Sequence, residues 1–326
     1  MESQMHLTRV LRFAIALLMP VASVALAQYP VRPIHIVQPY AVGGSNDAIT
    51  RIVAQKIAEN TGKTVIVENR TGAGGRIGYE FAARATPDGY TVVANDPAQT
   101  MLPALYGNKL SWDPNKDLVP VTNLAEWPFI LVVSPRLHVT TLAQLIQLAQ
   151  ANPGKLNYGS SGNGALVHIA TELFQREAHV QLTHVPYKGM GDAVTGMLTG
   201  SVDLMIIGTA PVVAHIRAGR IVPIVMASTK RSPALPDVPS STEAGLPGFI
   251  AGSWVGLAAP KGTPQEAIEW LHAEAKKALS SADVRERLSA QGVEPSGISP
   301  ADFATQMREE AQRWSAVINA ANIRPD

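Results

Sequence analysis

From residue 34 onward the chain alternates short apolar runs with helical patterns. Ile34-His35-Ile36-Val37 reads as a strand, Gly43-Gly44-Ser45 as a turn, and 47–60 as a helix with Ile49, Ile52, Val53 and Ile57 near one face. Gly62 supplies a stop. A strand at 64–67, a helix at 77–84 and a strand at 91–94 complete a β-α-β-α-β rhythm, which predicts a parallel sheet with helices on its faces. The rhythm restarts after Trp127-Pro128. Strands are expected at 129–133, 156–158, 182–185, 202–207 and 222–226, with helices at 142–149, 165–176, 192–198 and 211–218. Gly200 and Gly219 stand where helices should end. A Pro-containing loop over 232–247 precedes one more strand at 253–259. Helices at 264–279, 282–290 and 301–319 close the chain, the last announced by Ser299-Pro300. The pattern predicts an α/β protein of two lobes, each a sheet flanked by helices, the first interrupted by the second. Lobe 1 takes 28–128 plus 251–326, lobe 2 takes 129–250, and the closing helices pack back on lobe 1.

The amino terminus follows a different logic. Arg9 and Arg12 precede an apolar stretch over 13–26 broken by Pro20, and Ala25-Leu26-Ala27 has the small-x-small pattern of a signal-peptidase site. The stretch is too short and too poorly flanked to span a membrane well. Residues 1–27 are therefore expected to be a signal peptide cleaved after Ala27. Its removal takes Arg9, Arg12 and Glu2 and moves the formal net charge from +1 to zero, so nothing marks a nucleic-acid or anionic-membrane binder. The chain has no cysteine, which excludes disulfides, thiol catalysis and Cys-based zinc sites.

In open α/β sheets ligands sit beyond the carboxyl ends of the strands, so the strand-to-helix loops carry the candidate chemistry. Pro39 through Asp47 follows the first strand. Its glycines permit close backbone approach, the next helix offers free N–H groups, and Ser45 adds a hydroxyl. Asp47 is read as an N-cap, since its charge would repel a bound anion. Gly159-Ser160-Ser161-Gly162-Asn163-Gly164-Ala165 repeats this arrangement in the second lobe. Two such loops, one per lobe, could clamp a carboxylate in a hinged binding protein.

Competing motifs fail by single residues. A dinucleotide fingerprint starting at Gly72 needs glycine where Ile77 stands, and a nucleophile elbow needs glycine where Asn163 stands. His168 and Glu172 lie four apart without a second histidine, so no zinc-protease motif exists. His168 is read as a hydrogen-bonded histidine on the inner face of its helix. Lys188 is a plausible charge near the cleft, and Trp254 is read as core or hinge packing.

The ordered segments Pro39 through Asp47, Glu68-Asn69-Arg70 with Gly72-Ala73-Gly74-Gly75, Pro87-Asp88-Gly89-Tyr90, Val185-Pro186-Tyr187-Lys188-Gly189, Val202-Asp203-Leu204-Met205, Leu235-Pro236-Asp237-Val238-Pro239 and Trp254-Val255-Gly256-Leu257 run through the whole mature chain. This set resembles the Bug family, the extracytoplasmic solute receptors of tripartite tricarboxylate transporters. The resemblance implies a periplasmic-binding-protein (Venus-flytrap) fold, a small mono-, di- or tricarboxylate ligand, aromatic acids included, no cofactor and no metal. It implies a monomeric periplasmic receptor that delivers the ligand to membrane permease subunits. The implied ligand-binding set is Tyr40, Ala41, Gly43, Gly44, Ser45 and Asn95 in the first lobe. In the second it is Ser160, Ser161, Asn163, Gly164, Ala165, His168 and Lys188, with His168 supporting its loop and Asp203 structural. The chain departs from the family where Ile206 and Ile207 replace an aromatic and an Asp, and where Arg76 replaces Asn. Fewer acids and one more cation fit an anion better than a zwitterionic amino acid. A receptor that signals to a sensor protein, or a periplasmic carboxylate-modifying enzyme, are the alternatives; the enzyme lacks a visible nucleophile, base or metal.

Overall fold

The computed structural model describes residues 29–290 and 292–324. The expected signal peptide and its cleavage site lie outside them. Three short runs rich in β-branched residues form β1 (Ile34–Gln38), β2 (Val65–Asn69) and β3 (Thr91–Asn95). Stiff β-branched side chains favour extended backbone and pack well on a pleated surface. β1 pairs in parallel with β2 on one side and β3 on the other. The crossovers are α1 (Ser45–Thr61) and α2 (Arg76–Ala83). α1 buries Ile49, Ile52, Val53 and Ile57 on one face and ends at Gly62, whose left-handed φ of 68° lets its N–H reach the Ala58 carbonyl.

The pattern reading misses α3 (Pro97–Tyr106). Pro103 inside it obscures the helical signal, yet Asp96 caps it through the Ala98 N–H and Pro97 occupies its first turn. β4 (Leu118–Val133) is also much longer than the expected 129–133. Its first part carries Pro120 and Pro128, which cannot donate to a ladder. Register shifts at 120–122 and 123–125 accommodate the irregularity.

The remaining elements follow the predicted order: α4 (Leu142–Ala151), β5 (Asn157–Ser160), α5 (Leu166–Ala178), β6 (Thr183–Pro186), α6 (Met190–Thr199), β7 (Leu204–Gly208), α7 (Val213–Arg217), β8 (Val222–Met226) and β9 (Gly252–Pro260). Then come α8 (Gln265–Ser280), α9 (Ala282–Ser289), the two-residue β10 (Glu294–Pro295) and α10 (Pro300–Ala320). The sheet runs β2-β1-β3-β9-β4-β7-β5-β6, with β8 and β10 also on β4. β4 changes partners along its length. Its 118–128 segment pairs with β9, and 129–133 pairs with β7 and β8. The change falls between Pro128 and Phe129.

Both faces of the second half-sheet are covered. Leu131, Leu204 and Ile206 pack with Phe174 and Phe249 on one side, and Ile130, Met205 and Ile207 with Met197 on the other. That two-sided burial explains why these strands read as unbroken apolar runs. α10 does more than pack back on the first half. Phe303 and Met307 sit on Trp254, whereas Trp314, Val317 and Ile318 belong to the core that holds Phe174. Ser299 caps α10 through the Asp302 N–H with Pro300 in its first turn, as the sequence indicates.

Candidate ligand-binding cleft

The carboxyl ends of β1, β3, β5, β6 and β7 open toward one cavity of about 830 Å³ lined from both half-sheets. Small-molecule sites are typically about 300–1,000 Å³. Besides α3, three helices begin at its wall. Gly44, Ser45 and Asn46 open α1, Ala165, Leu166 and Val167 open α5, and Lys188 and Met190 flank the start of α6. None of the three has a side-chain cap. The first N–H groups of a helix lack intrahelical partners and carry the positive end of its dipole, so uncapped starts attract an anion.

α3 differs because Asp96 caps it. The Asp96 carboxylate accepts from Tyr79 Oη at 2.7 Å, Asn46 Nδ2 at 2.8 Å and the Ala98 N–H at 2.9 Å. Burial pushes its carboxyl pKa up, and hydrogen bonds from Tyr79, Tyr40, Ala98 and Asn46 offset only part of that rise. Asp47 is not the N-cap expected of it; it stands inside α1, whose N-cap is Gly44. Its carboxylate accepts from the Gly43 N–H, Arg51 Nε and Asn69 Nδ2, folding the loop back on the helix. Burial alone would raise its pKa, but these bonds outweigh it and hold the carboxylate below its ordinary range.

A stack of rings supports the second loop. His168 and His184 lie with centroids 4.0 Å apart, and Tyr158 stacks on His184 at 4.8 Å. His168 Nδ1 accepts the Gly164 N–H at 3.1 Å, which requires a neutral ring with Nδ1 unprotonated. Burial, reinforced by His184, lowers the His168 pKa to about 4. Ser160 Oγ lies 2.6 Å from His184 Nε2, a distance suited to a nucleophile–base pair. Ser160 is fully buried and off the cavity wall, so this pair shapes the loop and cannot reach a substrate.

Of the residues singled out from sequence, Tyr40, Gly44, Ser45, Ser161, Asn163, Gly164, Ala165 and Lys188 line the cavity. Ala41, Gly43, Asn95, Ser160 and His168 do not. Gly43 lines a separate shallow depression with Arg51 and Arg287. Asn95 is buried beneath the site, donating to Gln99. Sequence reasoning misses Asp96, the α3 face of Ala98, Met101, Leu102 and Leu105, and Trp127 and Phe129 on the β4 crossing. The Asp96-Pro97 start and the apolar spacing of 98, 101, 102 and 105 were the available signal. Asp203 is structural, accepting from the Asn157 N–H and pairing with Arg136.

The chain is similar to known proteins over most of its length. Protein BugT of Bordetella pertussis is 35% identical over 298 residues, covering 91% of each chain. The solved structure of R. palustris Rpa4515 with adipate is 34% identical with a TM-score of 0.79, covering 91% of this chain and all of the other. MatC from Rhodopseudomonas palustris with bound malate is 33% identical with a TM-score of 0.76, covering 89% of this chain and all of the other. The family model described as the tripartite tricarboxylate transporter family receptor matches residues 49–323. The chain belongs to that receptor family, as the Bug-type sequence pattern implied.

Proposed function

We propose that the protein is an exported, periplasmic receptor that captures a small carboxylate between its two half-sheets and delivers it to the permease subunits of a tripartite tricarboxylate transporter. The observation that carries this reading is the convergence of three uncapped helix starts on one cavity. The carboxylate accepts N–H groups from the first turns of α1 and α5, with Ser45 and Ser161 adding hydroxyls. The adipate and malate held by two similar proteins are ligands of that chemistry. The lobes divide near Pro128 and near Ala251, where β4 changes partners and β9 begins, and closing about these points brings the two loops together.

Thermal unfolding of ligand-stripped protein against a carboxylate panel tests the proposal. A bound ligand at hundredfold excess over its Kd adds about 2.7 kcal/mol of apparent stability. No stabilisation by any member contradicts the reading. Turnover of a stabilising carboxylate, followed by mass spectrometry, would favour an enzyme instead.

A further inference from the structure

Beyond the anion end, the cavity changes character. The Asp96–Asn46 hydrogen bond ties the start of α3 to the first turn of α1. From there half-buried Ala98 and Leu105 line the cavity, and Met101 and Leu102, nearly fully buried, back the wall between them. At 1.5 Å rise per residue, Ala98 to Leu105 extends the wall roughly 10 Å along the helix. Phe129 and Ile207 line the cavity from the other half-sheet. The wall thus begins at amide donors and continues over hydrocarbon.

We infer, resting on the carboxylate reading above, that the ligand carries one carboxylate on an apolar, ring-sized body and no second charge. A second carboxylate would lie along the α3 wall. Among the described lining residues the basic side chain is Lys188, and it belongs to the other end: Tyr187 N–H bonds the Ser160 carbonyl, placing Lys188 beside the second loop. Arg76, off the wall, is engaged over the Tyr106 ring, 5.3 Å from its centroid. An ion held against an apolar wall loses its hydration without replacement, while a ring gains from burial there. An added ammonium meets acids already engaged. Asp96 accepts from Tyr79, Asn46 and Ala98, and Asp47 from Gly43, Arg51 and Asn69. Ile207 adds hydrocarbon to the lining and no acceptor for an ammonium.

Titration calorimetry on the ligand-stripped protein separates the possibilities with matched probes. 3-Phenylpropanoate supplies ring and carboxylate, phenylsuccinate adds a carboxylate, phenylalanine adds an ammonium, and 3-phenylpropanamide removes the charge. 3-Phenylpropanoate should bind roughly 100-fold tighter than phenylsuccinate or phenylalanine, about 2.8 kcal/mol at 1.4 kcal/mol per tenfold. Leu105→Lys, a change on the half-exposed cavity wall, should narrow the gap to phenylsuccinate at least roughly tenfold by supplying a counter-ion. Tighter binding of phenylsuccinate, succinate or phenylalanine to the unmodified protein overturns the inference and leaves the carboxylate reading intact. Equal binding of 3-phenylpropanamide, or no binding by any carboxylate, defeats that reading and the inference together.

Discussion

Acidification should loosen the second loop through one histidine. His168 is buried, and its Nδ1 accepts the Gly164 N–H, a role open only to the neutral ring. The unfolded ring titrates near 6.5 and the folded ring near 4. The folded pKa is depressed, so between these values the unfolded chain binds more protons and stability rises with pH. The contribution is therefore complete above pH 6.5 and lost progressively as pH falls toward 4. Linkage between these two pKa values gives a loss of roughly 2–3 kcal/mol by about pH 4.5. The neighbours facing His168 are His184 and Tyr158 from the adjacent strands and Glu172 from its own helix, whose carboxylate lies 3.9 Å from Nε2. Asn at 168 offers an acceptor near the position of Nδ1 and does not titrate. Urea unfolding across pH 4.5–7.5 should show wild-type stability falling more steeply than that of His168→Asn. Ligand affinity should hold until pH approaches 4, because binding reads the folded pKa. Parallel stability profiles for the two proteins would refute the assignment of a neutral, depressed His168.

Three further substitutions probe the cleft. Gly44→Val fits the backbone, since φ is −73° and the nearest atom to a new Cβ is the Ala41 carbonyl oxygen at 3.9 Å. It should cost at most about 1 kcal/mol of stability, while calorimetry should show ligand affinity lost. Asp96→Ala removes the α3 cap and strands the buried Tyr79 hydroxyl, so urea unfolding should register about 2–4 kcal/mol of destabilisation. Lys188 is exposed at the cavity rim, and Lys188→Met should weaken binding by less than about tenfold and flatten its salt dependence.

The central strands were legible because burial on both faces leaves continuous apolar runs such as Leu204–Gly208, and helix ends were legible where Gly62 and Gly200 adopt left-handed φ. The two loops at Gly44-Ser45 and Ser161–Ala165 were legible because glycine and serine at a strand-to-helix junction have a chemical meaning independent of tertiary context. The first part of β4 was not, because Pro120 is accommodated by a register shift against β9 and Pro128 stands where β4 changes partners, and neither partner strand is visible from the local sequence. The α3 wall was hidden by Pro103, and with it the apolar half of the cavity. Asn95, Ser160 and His168 stand next to the lining residues along the chain without lining the cavity themselves; sequence proximity to the loops drew them into the site. Asp47 was assigned to capping on its position, whereas its carboxylate turns away from the helix N–H groups toward Gly43, Arg51 and Asn69.

The central claim is that a carboxylate is held between the first turns of α1 and α5. A crystal structure with the carboxylate that most stabilises the stripped protein tests it directly. The account predicts carboxylate oxygens within hydrogen-bonding distance, about 2.7–3.2 Å, of first-turn N–H groups of both helices, directly or through one ordered water, with the ligand body along α3. A carboxylate bound outside the cavity, or held by Lys188 alone with both helix starts hydrated, would contradict it.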